Sequence, residues 1–183
     1  ITYSFLENAI TGIVGENKKQ RYEFVKNIIT RLMTLHSYDE LKTVFIVGDE
    51  EEAYMREFRW IPHTWNEDKD MRYFATDLNE AKTISAALEK VFYERSDERY
   101  KADVVSPHYI IFNMNKSICE KTDIFNMVLR SDGSQGFSLV NVADGLKYLP
   151  KECSSVIEIN EKKSKIYDRN DLSGKFTEFV QIG

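Results

Sequence analysis

The distribution of apolar and polar residues along the chain predicts an alternation of strands and helices. Apolar residues at helical spacing predict two long helices, one over about residues 17–35 and one from an N-cap at Asp77 to about Arg95. A shorter helix is predicted over Ile124–Leu129. Short, nearly continuous apolar runs, of the kind that form buried strands, predict strands at Ile10–Gly15, Leu41–Val47, Met71–Ala75, His108–Phe112 and Gly136–Val142. We therefore expect an α/β fold with a mostly parallel sheet and helices on both faces.

The C-terminal part has a different pattern. Residues 155–160 and 164–167 alternate between apolar and polar and are joined by a short charged turn, which predicts a hairpin, and residues 176–182 predict one more strand. We expect a single domain over residues 1–183, with an α/β core at 10–150 and a small antiparallel extension at 151–183. A charged loop is predicted over Ser96–Ser106.

Length and composition narrow the class of protein. The 183 residues suit one domain, and the hydrophobic and charged fractions, 42% and 30%, are those of ordinary globular proteins. A net charge of −5 argues against a general nucleic-acid-binding surface. No apolar run approaches the ~20 residues of a membrane span, so we expect no direct membrane insertion. Because the chain starts at Ile1 rather than Met, we expect it to be part of a longer protein.

The junction after the first predicted strand has the layout of a phosphate-binding loop without its usual residues. A Walker A motif needs a second glycine five residues after the first, then Lys, then Ser or Thr. Counted from Gly15, those positions hold Gln20, Arg21 and Tyr22. Without that glycine, lysine and short hydroxyl, the loop is poorly suited to hold a triphosphate and magnesium.

Cationic residues nevertheless surround the start of the first helix. Gly15, Lys18, Lys19 and Arg21 are therefore predicted to form a vestigial phosphate loop. A surviving anion or nucleotide site and a solvated basic helix start both remain open. We predict no catalytic residue and no bound cofactor, with ATP and magnesium as the alternative that stays open.

In a nucleotide-binding domain, the carboxylate that binds magnesium beside the phosphate loop is expected at the end of an apolar strand. Asp49 and Glu50 follow the second strand, but they are predicted to begin a short helix, whose N-terminal dipole favours carboxylates. The fourth strand ends in Asn113, Met114 and Asn115, and therefore offers no carboxylate for magnesium. The three histidines show no metal-ligand spacing, so we predict no metal site.

A loop with both tryptophans of the chain is the remaining candidate. Large aromatic residues and arginine are typical anchors of interfaces. The candidates are Arg59, Trp60, Pro62, His63 and Trp65. The loop either docks onto a neighbouring domain or subunit, or folds back and covers the local core.

Four stretches resemble one family: Gly12–Gly15, Leu35–Lys42, Arg59–His63 and Pro107–Tyr109. Over about residues 10–150 the chain resembles the region between the membrane anchor and the first motor domain of the type VII secretion ATPases, of the EssC, YukB and EccC type, which carry tandem FtsK/SpoIIIE-like domains. The resemblance implies a degenerate P-loop, RecA-like ATPase fold. It also implies a cytoplasmic domain of a bacterial cell-membrane protein, with other domains of the same chain and neighbouring subunits of a secretion complex as partners.

Together these observations give one leading hypothesis and two alternatives. The leading hypothesis is a non-catalytic, ATPase-like coupling domain that links the membrane segment to the tandem ATPase domains. The first alternative is a weakly active NTPase in which Arg21 or Lys19 replaces the usual lysine and a neighbouring subunit supplies the acid. The second is a module that binds an anion or a nucleotide without hydrolysis.

Overall fold

A single sheet organises the protein. The computed structural model describes residues 2–97, 99–100 and 105–181, so part of the predicted Ser96–Ser106 loop lies outside the described residues. The strands are β1 Ile10–Val14, β2 Leu41–Ile46, β3 Phe74–Ala75, β4 His108–Asn113, β5 Phe137–Ala143, β6 Ser155–Glu158, β7 Ser164–Asp168 and β8 Phe176–Phe179. They lie in the order β3-β2-β4-β5-β1-β6-β7-β8. The pairs from β3 to β6 are parallel, and β7 and β8 pair antiparallel.

Helices cover both faces of this sheet, as predicted. They are α1 Lys18–Leu35, α2 Asp49–Met55, α3 Leu78–Ser96, α4 Lys116–Cys119 and α5 Asp123–Leu129. One core packs α1 and α2 on one face, and a second core packs α3, α4 and α5 on the other. Alternate residues of the central strands supply the two cores: Phe45 and Phe112 point into the first, and Val44 and Ile111 into the second. This explains why these strands are apolar without interruption.

The helix starts follow from capping residues in the sequence. The side chain of Asn17 accepts a hydrogen bond from the backbone N–H of Gln20, and that of Asp77 accepts one from Glu80 N–H. Each cap satisfies one of the free donors of a helix start. The predicted helix start at Asp49 is also confirmed, since α2 begins there with four acidic residues in its first turn.

Two element boundaries differ from the prediction. The third strand was predicted over Met71–Ala75, but only Phe74–Ala75 pairs with β2, because the chain ahead of it forms a bridge between Trp65 and Arg72 instead. The antiparallel extension was predicted from residue 151. However, β6 pairs parallel with β1, with Gly12 opposite Val156, so antiparallel pairing begins at β7.

The N-terminal segment is tied to the sheet by buried hydroxyl groups. The Tyr3 hydroxyl lies 2.7 Å from Thr11 Oγ1 on β1 and 2.6 Å from Ser155 Oγ on β6. Ser138 Oγ on β5 donates to the carbonyl of Phe5 at 2.6 Å and lies 2.7 Å from Nε2 of His108 on β4. The segment is therefore hydrogen-bonded to three neighbouring strands, β5, β1 and β6. Within the described residues, no helix is both long and apolar enough to cross a bilayer.

The carboxyl ends of β1, β4 and β5 meet at one edge of the sheet. The chain leaves β1 toward β2 on one side, whereas β5 leads across β1 to β6 on the other. Open α/β sheets bind ligands at the carboxyl edge where the connections diverge in this way. The predicted phosphate loop lies at that edge, directly after β1.

Candidate functional site

The loop between β1 and α1 is short and already hydrogen-bonded. β1 ends at Val14 and α1 begins at Lys18, so Gly15, Glu16 and Asn17 alone connect them. Asn17 Oδ1 accepts from the backbone N–H of Gln20 at 3.0 Å. A phosphate bound at a helix start needs free N–H groups there, and this cap uses one of them.

Arg21 fills the position of the usual lysine but points back into the protein. Its side chain is 4% exposed, and its Nη2 lies 2.7 Å from Oδ1 of Asp144. Its Nη1 donates to the carbonyl oxygen of Gly15. The guanidinium also lies 5.2 Å from the ring centre of Tyr22. The cation that would meet a phosphate is therefore engaged by the loop's own backbone and by a carboxylate.

The register of the sheet brings Asp144 to this place. Val14 on β1 lies opposite Ala143 on β5, so the residues that follow them, Gly15 and Asp144, become neighbours. Asp144 was not singled out by the sequence reasoning. The signal was present, because carboxyl ends of neighbouring parallel strands lie at one edge, and Asp144 directly follows the fifth strand.

The other cations of the predicted loop do not converge with Arg21. Lys18 Nζ donates to Glu50 Oε2 on α2 at 2.7 Å, and this pair raises the pKa of Lys18. Lys19 is exposed to solvent. Of the predicted set of Gly15, Lys18, Lys19 and Arg21, only Gly15 and Arg21 are in direct contact through a hydrogen bond.

Tyr22, at the Walker A hydroxyl position, is part of the core. It is 2% exposed and stacks on Tyr54 of α2, with ring centres 4.8 Å apart. Burial, followed by the nearby charge of Glu51, raises the pKa of Tyr22 to about 12. The position that holds magnesium in a Walker A motif therefore holds α1 against α2 here.

Amide side chains occupy the end of β4, where a magnesium-binding acid was expected. Asn113 is 4% exposed, and its Nδ2 donates to Asn141 Oδ1 at 2.9 Å. Asn141 Nδ2 in turn donates to the carbonyl of Thr11 at 3.4 Å. The two amides thus connect β4, β5 and β1, and they are neutral.

A cavity of about 320 Å³ opens in front of these residues, between α1, α2 and the ends of β4 and β5. The carboxylates of its described lining are Glu50, Glu51 and Asp144. Each has a protein partner: Lys18 for Glu50, the backbone N–H of Gly48 for Glu51, and Arg21 for Asp144. Each carboxylate of the described lining is therefore engaged by a group of the protein itself.

The predicted interface loop divides into inward and outward residues. Trp60 is 67% exposed, whereas His63 is buried and its Nε2 lies 2.8 Å from the carbonyl oxygen of His36. Pro62 begins a short 3₁₀ turn, and Arg59 lies with its guanidinium 4.7 Å from the Phe74 ring centre. The burial of His63 agrees with the interpretation in which the loop covers the core. The exposure of Trp60 agrees with the interpretation in which the loop docks onto a partner.

Arg72 joins the two tryptophans, and the sequence reasoning missed it. Its guanidinium lies 4.6 Å from the ring centre of Trp60 and 3.5 Å from that of Trp65. Its Nη1 donates to the carbonyl of Arg59 at 2.6 Å. Trp65 and Arg72 also form the isolated bridge that closes a hairpin over residues 65–72. An arginine a few residues after a tryptophan pair was the signal available in the sequence.

Comparison with known proteins finds similar sequences in one family. No protein-family model matches the chain. The type VII secretion system protein EssC of Staphylococcus aureus is 23% identical over 166 residues, which cover 87% of this chain and 11% of EssC. The chain is similar to a domain of the FtsK/SpoIIIE-type ATPases of type VII secretion. It spans about a tenth of the length of its EssC relatives.

Solved structures of type VII secretion ATPases share the fold of this chain. ATPases 2 and 3 of Geobacillus thermodenitrificans EssC match with a TM-score of 0.63 at 13% identity, over 92% of this chain and 39% of that one. The cytoplasmic domain of the type VII secretion ATPase EccC from Thermomonospora curvata matches with a TM-score of 0.64 at 8% identity, over 93% of this chain and 24% of that one. The predicted α/β class with a C-terminal antiparallel part is confirmed.

Proposed function

We propose that this chain is a non-catalytic, ATPase-like coupling domain of a type VII secretion motor. It links the membrane segment of a longer protein to the tandem ATPase domains and acts by contact. The likeness to EssC over 87% of the chain supports a role in such a motor. The position between anchor and motor follows the resemblance of residues 10–150 to that region.

The single observation that carries the non-catalytic role is the engagement of Arg21. Its guanidinium binds Gly15 and Asp144, and therefore occupies the turn that would receive a triphosphate. Asn113 at the end of β4 adds to this argument, because an amide does not supply the negative charge that magnesium favours. The Walker A lysine and the magnesium-binding carboxylate are both missing. An inactive domain explains this joint loss more simply than two independent changes do.

Partners and location follow from the same proposal. The partners are other domains of the same chain and neighbouring subunits of the secretion complex, and no nucleic acid or cofactor takes part. The domain lies in the cytoplasm of a bacterium, attached to a protein of the cell membrane. The likeness to a structure described as the cytoplasmic domain of EccC supports this location.

A nucleotide titration tests the non-catalytic role. The purified chain is titrated with ATP and Mg²⁺ by calorimetry, and phosphate release is then assayed. We expect a Kd weaker than about 1 mM and no turnover, because the Arg21 guanidinium is already paired. Arg21→Ala and Lys19→Ala are measured in parallel, because each of these cations is a candidate to replace the usual lysine.

Two results would contradict the non-catalytic role. Micromolar binding with turnover that either Arg21→Ala or Lys19→Ala abolishes would make the chain an NTPase with an unusual loop. Micromolar binding without turnover would make it a nucleotide-sensing module.

The coupling role is tested in the full-length parent. Trp60→Ala is expected to reduce secretion while the isolated variant melts as the wild type does, since Trp60 is 67% exposed. Unchanged secretion by Trp60→Ala would argue against coupling through this loop.

A further inference from the structure

We propose that Trp60 and the hairpin of residues 65–72 form one docking surface, here called the Trp60 surface, for a basic segment of a partner protein. The proposal rests on the proposed function, in which the domain acts by contact, and it adds the chemistry of the partner. The surface lies beside β3, at the edge of the sheet opposite to β8. It is remote in sequence from the residues of the phosphate loop.

The first support is that a large aromatic group is held rigidly in solvent. Trp60 exposes 67% of its surface, although a tryptophan gains much free energy when it is buried. The Arg72 guanidinium lies against its ring, and the hydrogen bond from Arg72 to the Arg59 carbonyl fixes that guanidinium. Trp and Arg are the residue types that contribute most binding energy at interfaces, and a rigid group loses little entropy on binding.

The second support is that the hairpin turn is also pre-ordered. Asn66 Oδ1 accepts from the backbone N–H groups of Asp70 and Met71, at 3.1 Å and 3.0 Å. Asn66 Nδ2 donates to Asp70 Oδ1 at 2.6 Å. Lys69 has a φ of 56°, the left-handed conformation that closes the turn. The turn therefore presents its charged side chains from a defined backbone.

The third support is the sign of the charge. The turn carries three exposed carboxylates, on Glu67, Asp68 and Asp70, and one ammonium, on Lys69, so two negative charges remain. The Arg72 guanidinium lies against the two indole rings, and Lys42 lies near Glu67 and offsets part of the turn's charge, so the net charge of the turn stays negative. Because Arg72 connects Trp60 to this hairpin, a partner that packs on Trp60 and reaches the turn meets net negative charge, and complementary charge makes a basic segment the favoured one.

The same charge argues against other classes of partner. Anionic lipid headgroups and nucleic-acid phosphates are repelled by a net negative turn. An acidic protein segment would place like charges together, which costs free energy at an interface. The occupant is therefore a segment of a protein that offers an apolar side chain to Trp60 and lysine or arginine to Glu67 and Asp68.

Site-specific photo-crosslinking in the full-length parent, in cells, tests the proposal. The photoreactive residue benzoylphenylalanine replaces Trp60, and adducts are mapped by mass spectrometry. The same residue at Tyr93 is the matched control, since Tyr93 is 65% exposed but lies on α3, on the opposite face of the sheet. We expect an adduct from position 60, absent from position 93, on a segment with an excess of lysine and arginine.

Charge variants of the turn make the test specific. Glu67→Lys with Asp68→Lys should lower the adduct yield about tenfold, because attraction becomes repulsion at two exposed positions. Glu67→Gln with Asp68→Asn should give an intermediate yield and serves as the check if the lysine variant does not fold. No adduct, an adduct on an acidic or neutral segment, or a yield that neither pair changes would overturn the proposal. The nucleotide titration fails or succeeds independently, so the two proposals can be told apart.

Discussion

Polar and aromatic side chains point in opposite directions in two regions of this molecule, here called the inward corner and the outward corner. At the carboxyl edge of β1, Arg21, Tyr22 and Asn113 are turned inward, and each has a partner within the protein. Beside β3, Trp60 is turned outward and stays rigid through Arg72. The difference teaches that a site is not lost only by deletion of residues. At the first corner the residues at the Walker A positions make contacts that stabilise the fold, while at the second corner a tryptophan stays exposed to solvent.

The largest effect is expected from restoring the Walker A residues. The variant Gln20→Gly, Arg21→Lys, Tyr22→Thr removes an aromatic ring that is 2% exposed and stacked on Tyr54. We expect it to lose about 3–5 kcal/mol of the free energy of unfolding and to gain no ATP hydrolysis, because truncation of a buried aromatic leaves a cavity. Denaturant unfolding and a phosphate-release assay measure the two quantities.

Tyr22→Phe is the control for that variant, since it keeps the ring. Tyr22→Phe should lower the free energy of unfolding far less than the triple change does. If the triple variant hydrolysed ATP at a stability near that of the wild type, the inward corner would be a silenced active site rather than a structural one.

A pH effect should come from another inward-turned group, His108. Burial, followed by the nearby charge of Arg95, lowers the pKa of His108 to about 4. Because the unfolded-state pKa is higher, near 6.5, the unfolded chain binds more protons between these values. The contribution of neutral His108 is therefore complete above pH 6.5 and decreases as the pH falls toward 4, by about 3 kcal/mol in all.

Urea unfolding at several pH values between 7 and 4.5 checks this, with His108→Asn as the comparison. Carboxylates also titrate in this range, so the difference between the two proteins is the informative quantity. If the free energies of unfolding of the wild type and of His108→Asn changed in parallel with pH, His108 would not be held neutral by its environment.

A smaller loss is expected from Arg21→Ala, on the order of 1–3 kcal/mol. The variant removes two hydrogen-bonded contacts and the packing of a buried side chain. Asp144, however, is 72% exposed and stays solvated when its partner is removed, which limits the cost. Thermal unfolding of Arg21→Ala and of Lys19→Ala compares the buried cation with the exposed one. Equal losses of stability in the two variants would contradict a structural role of Arg21.

The smallest effect should come from the outward corner. Trp60→Ala is expected to change the free energy of unfolding of the isolated chain by less than about 1 kcal/mol, the scale of an exposed cation–π contact. Arg72→Ala should cost more, because it also removes the hydrogen bond to the Arg59 carbonyl. A Trp60 variant that unfolds the isolated chain would mean that this residue belongs to the core.

The sequence predicts the fold better than it predicts the direction of single side chains. Strands such as His108–Asn113 are visible because both of their faces are buried, and the start of α3 is visible because Asp77 caps it. The inward turn of Arg21 could not be predicted in the same way. It depends on the β1–β5 register, which brings a residue distant in sequence, Asp144, next to Gly15.

The same limit applies to the second corner. The sequence marks Trp60, His63 and Trp65 as a group, because they are close together in the chain. Their separation into exposed and buried positions depends on the His36 carbonyl and on Arg72, which come from other segments. Local patterns therefore identify the candidate residues, and tertiary contacts decide which of them a partner can reach.

The attachment of the N-terminal segment has a mechanical consequence. Tyr3 bonds to β1 and β6 through one hydroxyl, and Phe5 is held by β5 through Ser138. A pull on the chain at this point is shared among several strands at once, so the segment does not peel away one bond at a time. A force on this segment would therefore load the middle of the sheet, and the edge at β3, beside Trp60 and four strands from β1, would move furthest if the sheet turned as one body.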